Sequence, residues 1–263
     1  MSRLIVVLPA YNEEDCLPPL LRKFRKLFRY YAAKSAGFDP LVIVVDDGSK
    51  DRTAAVALEA AKKMPVRLVQ HPQNKGLGEA IKTGLRAAME ESTSDADVFV
   101  LMDADDTHPP HYVIPMLKRI DAGADMVIAS RYRPGSKQVG IPLNRWFMSQ
   151  VARWLFVLFL GLPGVRDYTC GFRAYRSGLI RRSLEHYGDE IITRNGFACT
   201  DQLLVNIACL GNIRIREIPF ILRYDRKVGP SKLNLGVTVL ETFKLLWHAN
   251  RKLYHARRGG QVV

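Results

Sequence analysis

The feature that most constrains this chain is an apolar run, Val98–Met102, that leads directly into a cluster of acids and then two prolines. A short apolar run bounded by such breakers predicts a buried strand. Asp103 and Asp105 follow its end, two residues apart. Ligands collect at the carboxyl ends of strands in open parallel sheets. Two carboxylates there favour a hard cation, Mg²⁺ or Mn²⁺, that bridges phosphates. The other interpretation of so short a motif is a solvated turn.

Further apolar runs alternate with segments of helical periodicity, which predicts βαβ units, an α/β fold and a parallel sheet with right-handed crossovers. The predicted strands are Leu4–Leu8, Leu41–Val45, Val66–Val69, Val98–Met102 and Met126–Ala129. The first, second and fourth end in loops that carry acids. Because parallel strands point the same way, we expect these loops to meet at one edge of the sheet.

The composition narrows the function classes. The chain has 263 residues, 48% of them hydrophobic, and a formal net charge of +13, which favours phosphates, acidic lipid surfaces or nucleic acid as partners. No run of 18 or more apolar residues occurs, so no transmembrane helix is predicted. The four cysteines lack C-x-x-C spacing, which indicates a reducing compartment and no structural zinc.

The loops at the expected sheet edge suit a nucleotide. Glu13, Asp46 and Asp47 could accept hydrogen bonds from a base or ribose, and Tyr11 could stack on a base. Each of the acids is also common in turns for purely local reasons. No G-x-x-x-x-G-K-[ST] or G-x-G-x-x-G motif is present, so metal and side chains would have to hold the phosphates.

The second half of the chain contains two amphipathic segments. At residues 144–162, large apolar side chains share one helix face, while Arg145, Ser149 and Arg153 recur at spacing four. This segment fits either a core helix or a helix lying in a membrane surface. A basic loop over residues 224–234 could close over phosphates, and a final amphipathic helix at 235–255 precedes a flexible tail, 256–263.

With these segments laid out, the chain resembles the family 2 glycosyltransferases of GT-A fold. The branch it resembles more closely is that of the dolichol-phosphate mannose synthases and other polyprenyl-phosphate sugar transferases. The motifs that carry the likeness are Leu8-Pro9-Ala10-Tyr11-Asn12-Glu13, Val44-Val45-Asp46-Asp47-Gly48-Ser49-Lys50-Asp51-Arg52-Thr53, Asn74-Lys75-Gly76-Leu77-Gly78, Asp103-Ala104-Asp105, Ser130-Arg131-Tyr132, Gly171-Phe172-Arg173 and Gly229-Pro230-Ser231-Lys232. The likeness implies a Rossmann-like catalytic domain at 1–234, with a mostly parallel sheet flanked by helices. Interfacial amphipathic helices would lie at about 144–160 and 235–255.

The resemblance also implies roles for individual residues. Nucleotide-sugar binding falls to Pro9, Tyr11, Glu13, Asp46, Asp47, Asp103, Ala104 and Asp105, with Asp103 and Asp105 as metal ligands. Contact with the acceptor phosphate falls to Arg131, Arg145, Ser149, Arg226 and Lys232, and catalysis to Asp105, Arg131, Arg226 and Lys232. A glutamine common in this family's metal site is replaced by Thr107, which leaves the third protein ligand open. We expect Asp105 to lie at an exposed rim.

The implied activity is inverting, metal-dependent transfer of a sugar from a nucleoside diphosphate sugar, with GDP-mannose favoured, to a polyprenyl or dolichyl monophosphate. The alternative is a UDP-sugar transferase with a hydroxyl acceptor, for which Asp201 could serve as the base. Nucleic acid is not an expected partner, because acids at strand ends make a poor groove for a phosphate backbone. The implied location is cytoplasmic, at the cytoplasmic face of a membrane, as a peripheral protein.

Overall fold

The computed structural model describes residues 2–33, 38–194, 196 and 198–226. Its strands are β1 (Ser2–Ala10), β2 (Phe38–Asp46), β3 (Val66–Gln70), β4 (Val98–Leu101), β5 (Met126–Ser130), β6 (Lys137–Val139), β7 (Arg173–Arg176), β8 (Ile215–Pro219) and β9 (Ile221–Arg223). Its α-helices are α1 (Leu17–Ala33), α2 (Thr53–Ala61), α3 (Leu77–Glu91), α4 (Val113–Asp121), α5 (Leu143–Leu160), α6 (Ser177–Tyr187) and α7 (Ala198–Cys209). Short 3-10 helices lie at Pro110–Tyr112, Gly188–Ile191 and Tyr224–Arg226.

Within the described residues, seven strands form the central sheet in the order β3-β2-β1-β4-β7-β5-β8. β1 pairs in parallel with β2 and β4, β2 with β3, and β5 with β8. The predicted mostly parallel α/β architecture is therefore confirmed. Because β2, β1 and β4 are neighbours, the three acid-bearing loops that follow them leave the sheet at one edge.

The sequence pattern did not reveal strand β7. It lies between β4 and β5 and runs antiparallel to both. Its four residues begin and end with arginine, which hides the usual apolar signal of a central strand. Arg173 is completely buried, and its guanidinium donates hydrogen bonds to the backbone oxygens of Tyr168 and Thr200. Those two bonds make so polar a residue tolerable in the interior.

The core forms where the apolar strands meet the helices. Helix α3 approaches β1 and β2 closely at Gly84, where an added Cβ would collide with the side chain of Val7 and lie 3.2 Å from Val45. Close packing of this kind fixes the position of the turn that leads into α3. That turn belongs to the candidate site.

Two segments in the second half of the chain differ from what their sequence predicts. Residues 135–142 are loop-like in sequence, but Lys137–Val139 forms β6 and pairs with β9 in a separate two-stranded sheet. The alternation of isoleucine with charged residues over 213–222 predicts one rather exposed strand, but this range contains both β8 and part of β9. Glu217 is one of those charged residues, yet its side chain is buried and binds Arg133. Periodicity does not register such ion pairing, which explains the difference.

The predicted helix at about 144–160 is confirmed as α5. Much of its apolar surface is exposed to solvent. Phe147 and Trp154 are each 61% exposed, and Leu158 is 78% exposed. Phe156 and Leu160 are buried and join the helix to the core. Among the described residues, no helix combines the length and apolar character needed to span a bilayer. Lys232, the predicted helix at 235–255 and the tail at 256–263 lie outside the described residues.

Candidate active site

Direct hydrogen bonds join the loop after β1 to the loop after β2. The backbone N–H of Asn12 donates to Ser49 Oγ at 2.9 Å, and the N–H of Lys50 returns to Asn12 Oδ1 at 2.9 Å. The N–H of Glu13 donates to Thr53 Oγ1 at 2.8 Å. Asn12 has a positive φ of 52°, a conformation that asparagine tolerates better than most residues. The two loops therefore form one ordered rim that carries Tyr11 and Glu13.

Asp46 and Asp47 extend this rim to β3. Both side chains are buried. Asp46 accepts hydrogen bonds from the Ser49 N–H at 3.0 Å and from Gln70 Nε2 at 3.1 Å. Its neighbour Asp47 is bonded instead to the loop after β3. The two acids predicted to contact the nucleotide thus also organise the turns around it.

The bonds to Asp47 come from a histidine and two backbone groups. His71 Nδ1 lies 2.6 Å from Asp47 Oδ1, and the N–H groups of Lys75 and Gly76 lie 2.9 Å from its two oxygens. The sequence interpretation missed His71. Its position immediately after a predicted strand, at the same sheet edge as the acids, was the signal that could have found it.

The two acids predicted as metal ligands differ in environment. The side chain of Asp103 is 42% exposed, and Gly171 lies opposite it, where a Cβ would be 3.6 Å from Asp103 Oδ1. Asp105 is buried, and its Oδ1 accepts bonds from the Thr107 N–H at 3.2 Å and from Thr107 Oγ1 at 2.7 Å. The expectation that Asp105 lies at an exposed rim was wrong, because it closes the turn with Thr107.

These residues fit a hard divalent cation. Asp103 and Asp105 supply carboxylate oxygens, which Mg²⁺ and Mn²⁺ prefer, and Asp103 is open to solvent. The Thr107 hydroxyl is already bonded to Asp105. Within the described part of the chain, no group of three His, Cys, Asp or Glu side chains could hold a metal together. Oxygens of a bound substrate would have to complete the shell.

Arg131 lies just beyond β5, in a buried ion pair. Its Nε and Nη2 donate to the two carboxylate oxygens of Asp167 at 2.8 and 2.6 Å, and Nη2 also lies 2.5 Å from Thr169 Oγ1. Burial alone lowers the pKa of Arg131, but the charge and hydrogen bonds of Asp167 raise it well above its usual value. The arginine is therefore a fixed positive charge.

The polar face of α5 contacts two tyrosines of the protein body, Tyr132 and Tyr224. The guanidinium of Arg145 lies over the ring of Tyr224, with Nη1 2.9 Å from the hydroxyl. Ser149 Oγ lies 2.5 Å from the hydroxyl of Tyr132, whose ring also packs against Arg153. The apolar face of the helix is thereby left outward.

Arg226 ends the 3-10 helix that follows β9. The N–H of Arg223 donates to the backbone oxygen of Thr107 at 3.0 Å, which ties the end of β9 to the turn after β4. Burial lowers the pKa of His111, and the charge of Arg226 lowers it further. Arg226 thus lies near the segment that follows Asp105.

The remaining predicted nucleotide contacts lie at the same strand ends. Pro9 is the penultimate residue of β1. Ala104 lies between the two candidate metal ligands in the loop after β4, and it is buried. Both therefore flank the rim that the acid-bearing loops form.

Asp201, in the first turn of α7, is buried. Burial raises its pKa to about 7, although the charges of Arg173 and Arg131 act in the opposite direction. Its Oδ1 has no hydrogen-bond partner among the described residues. A carboxyl group with this pKa is a chemically reasonable base near neutral pH.

The chain is similar in sequence and in fold to known proteins. The chain is 34% identical to the polyprenol monophosphomannose synthase of Mycolicibacterium smegmatis, over 97% of this chain and 91% of that protein. It is 31% identical to the dolichol-phosphate mannosyltransferase of Pyrococcus furiosus, over 93% of this chain but only 63% of that protein. A crystal structure of glucosyl-3-phosphoglycerate synthase from Mycobacterium tuberculosis, in complex with Mn²⁺ and UDP-glucose, matches with a TM-score of 0.61 at 20% identity, over 96% of this chain and 79% of that one.

The family model described as glycosyl transferase family 2 matches residues 5–188. This range includes the rim loops, both candidate metal ligands and Arg131. The chain is a glycosyltransferase and belongs to glycosyl transferase family 2.

Proposed function

We propose that this protein transfers a hexose, with inversion, from a nucleoside diphosphate sugar to a polyprenyl or dolichyl monophosphate, with GDP-mannose as the favoured donor. The observation that carries the proposal is the position of Asp103, 42% exposed, after β4, next to β1, whose loop is hydrogen-bonded to that of β2. The names of the two relatives support the lipid phosphate acceptor and the mannosyl donor.

On the donor side, the rim loops hold the nucleotide. Tyr11 and Glu13 lie in a loop whose backbone is fixed by Ser49 and Thr53, so little conformational entropy is lost when a nucleotide binds. The proposed nucleotide contacts are Pro9, Tyr11, Glu13, Asp46, Asp47, Asp103 and Ala104. The carboxylates of Asp103 and Asp105 would hold Mg²⁺ or Mn²⁺, which supplies positive charge to the leaving diphosphate.

On the acceptor side, a lipid monophosphate is already an anion near neutral pH and can attack the anomeric carbon without a general base. What it needs is orientation, and arginine orients phosphate well through its planar set of donors. The proposed contacts are Arg131, Arg145, Ser149, Arg226 and Lys232. Arg131 differs from the others, since Asp167 already binds it and limits it to a fixed charge at the site.

The acceptor is a membrane lipid, so the protein must reach a bilayer surface. The outward face of α5 presents Phe147, Trp154 and Leu158, while Arg145 and Ser149 on its polar face contact Tyr224 and Tyr132. A helix with this division can lie in the interface between head groups and acyl chains. We therefore propose peripheral binding through α5, at the cytoplasmic face of a membrane.

A second candidate is transfer to a hydroxyl acceptor from a UDP-sugar. The pKa of Asp201, raised to about 7 by burial, suits the base that such a reaction needs. The two candidates differ in their acceptor and in their dependence on this carboxyl group.

The experiment is an assay of radiolabelled sugar transfer in detergent with undecaprenyl phosphate or a soluble glycan as acceptor. The donors are GDP-mannose, UDP-glucose and UDP-GlcNAc, each with Mg²⁺, Mn²⁺ or excess chelator. We expect transfer to the lipid phosphate with GDP-mannose, loss of transfer with chelator, and a product of opposite anomeric configuration to the donor. No lipid product from any donor would refute the proposal, and glycan product instead would establish the second candidate.

A further inference from the structure

Three side chains, buried Asp47 and His71 and partly buried Thr83, form a hydrogen-bonded chain under the donor rim. His71 follows β3 directly, and its ring is buried between Asp47 and Thr83. Nδ1 lies 2.6 Å from Asp47 Oδ1, and Nε2 lies 2.9 Å from Thr83 Oγ1. These three side chains connect the end of β2, the end of β3 and helix α3.

The chemistry of the three groups sets the direction of these bonds. An ionised carboxylate only accepts hydrogen bonds, so His71 Nδ1 must carry the proton that it shares with Asp47. In the neutral ring, Nε2 is then an acceptor, and the Thr83 hydroxyl donates to it. The ring is held at both nitrogens, which leaves it one orientation.

The other bonds of Asp47 explain why its orientation matters. Its oxygens also accept the N–H groups of Lys75 and Gly76, at 2.9 Å each, immediately before α3. Gly48, the next residue after Asp47, has a positive φ of 68°, and a Cβ there would lie 2.6 Å from the backbone nitrogen of Asn74. The turn after β2 and the turn before α3 are thus packed backbone to backbone, and the carboxylate of Asp47 bonds the first turn to the second.

We propose that His71 is a positioning residue for donor binding. By fixing the carboxylate of Asp47, it keeps these two turns in the arrangement that receives the nucleotide. The inference rests on the proposed function, because it assumes that the rim around Asp47 binds the nucleoside diphosphate of the donor. It predicts an effect on donor affinity that leaves acceptor affinity and the chemical step largely intact.

Two substitutions of similar size separate the two nitrogens of the ring. His71→Asn places an amide nitrogen near the position of Nδ1 and can still donate to Asp47. His71→Gln reaches toward the position of Nε2 and can contact only Thr83. The pair Thr83→Val and Thr83→Ser tests in the same way the hydrogen bond between Thr83 and Nε2 of His71. His186→Gln, which changes an exposed histidine on helix α6, is the control.

The measurements are the affinity for GDP and UDP by calorimetry, kcat and KM for donor and acceptor, and the thermal midpoint. We expect His71→Gln to weaken nucleotide binding and raise the donor KM about tenfold, and Thr83→Val about threefold, as for the loss of one buried hydrogen bond. His71→Asn and Thr83→Ser should recover most of this affinity. Acceptor KM and kcat should stay within about twofold throughout, the scale of a residue that touches neither.

Three results would overturn the inference. The His71→Gln variant could bind nucleotide as tightly as the unmodified protein, or His71→Asn could be impaired as much as His71→Gln, so that the donor at Nδ1 is irrelevant. The His71→Gln variant could also lose kcat and both affinities together with a large drop in thermal midpoint, which is the pattern of a merely structural residue. If the unmodified protein binds neither GDP nor UDP, the proposed function fails first and takes this inference with it.

Discussion

Asp167 accepts two hydrogen bonds from the guanidinium of Arg131, at 2.8 and 2.6 Å, just beyond the end of β5, where Asp167 is fully buried and the Arg131 side chain is 14% exposed. The backbone N–H of Asp167 is bound in turn by Glu217 Oε1 at 2.8 Å, and Glu217 Oε2 binds Arg133 at 2.7 Å. Two buried carboxylates and two arginines thereby connect the loop before β7 with the ends of β5 and β8.

Asp167→Asn should destabilise the protein strongly, because it leaves the Arg131 charge buried without its counter-ion. The expected loss in the free energy of unfolding is about 3–5 kcal/mol, measured by urea unfolding followed by circular dichroism. Asp95→Asn is the matched control, since the Asp95–Arg181 pair is exposed. A pair of that kind contributes about 0–1 kcal/mol. Equal losses in the two variants would contradict this account of the buried pair.

Lowering the pH should destabilise the protein because the carboxylate of Asp97 becomes protonated. Burial raises the pKa of this carboxyl, but hydrogen bonds from the N–H groups of Arg3, Thr93 and Ser94 and from Ser92 lower it more, so its net pKa lies below the usual value. A group with a depressed folded-state pKa stabilises the protein above its unfolded-state pKa, and the contribution is lost as pH falls through the folded-state pKa. We expect Asp97→Asn to be less stable at pH 7 and to lose less stability than the unmodified protein between about pH 5 and 3. Parallel stability curves would refute this.

Asp201 should show the opposite pH dependence. Its folded-state pKa is raised to about 7, mainly by burial, so its contribution is full below the unfolded-state pKa and declines as pH rises toward 7. Asp201→Asn removes the cost of ionising this group and should stabilise the protein at pH 8 by about 1 kcal/mol or more. Thermal unfolding at pH 5 and pH 8 measures the difference.

The same variant tests the reaction. If the acceptor is a lipid phosphate, Asp201→Asn should retain transfer within about tenfold, because no general base is needed. A loss of about 100-fold or more, in the range that general-base catalysis contributes, would instead favour the hydroxyl acceptor.

The outward face of α5 should determine membrane binding. Phe147→Glu and Trp154→Glu each replace a side chain that is 61% exposed, so folding should be little affected. Binding to anionic vesicles in a sedimentation assay should weaken at least about tenfold, since burying one large apolar side chain is worth about 1.5–3 kcal/mol. Leu58→Glu, on α2 and 54% exposed, is the control and should bind normally. Equal binding by all three variants would exclude α5 as the contact.

Substitutions of Asp103 and of Asp105 should have different effects on stability, although both should reduce activity. Asp103→Asn removes an open carboxylate and should reduce Mn²⁺-dependent transfer by about 100-fold or more, the size expected when charge stabilisation at a leaving group is lost, with little change in thermal midpoint. Asp105→Ala should reduce transfer and also lower the midpoint, because Thr107 loses the acceptor for both its N–H and its hydroxyl. An unchanged midpoint in Asp105→Ala would contradict the structural role assigned to this turn.

Periodicity and strand-end chemistry predicted much of this molecule. Apolar segments located the five strands that alternate with helices. The runs are continuous in β1, β2, β4 and β5, most of whose residues are buried, whereas β3 is an edge strand interrupted by Arg67. The acid-bearing ends of β1, β2 and β4 were correctly expected at one edge. Strand β7 was not predicted because it is short and carries Arg173, whose buried guanidinium binds carbonyls of residues that lie elsewhere in the chain.

The candidate site was predictable in its residue types but not in its bonding. The acids Asp47 and Asp105 were identified as candidates, while their bonds to His71 and Thr107 become visible only when the chain is folded. The face of α5 that is exposed to solvent could not be predicted from its sequence either. A stripe of apolar residues looks the same whether it faces the core or solvent, and the contacts of Arg145 and Ser149 with tyrosines decide which side is outward.

The insertion of β7 between β4 and β5 sets a minimum chain length at which the middle of the sheet can close during synthesis. β4 emerges from the ribosome early, yet one of its edges has no partner until residue 173 has followed, and β5 waits for the same strand. An unpaired central edge is a template for association with other chains. Shortened versions that stop before β7 should therefore be prone to aggregate, whereas those that include it close the middle of the sheet.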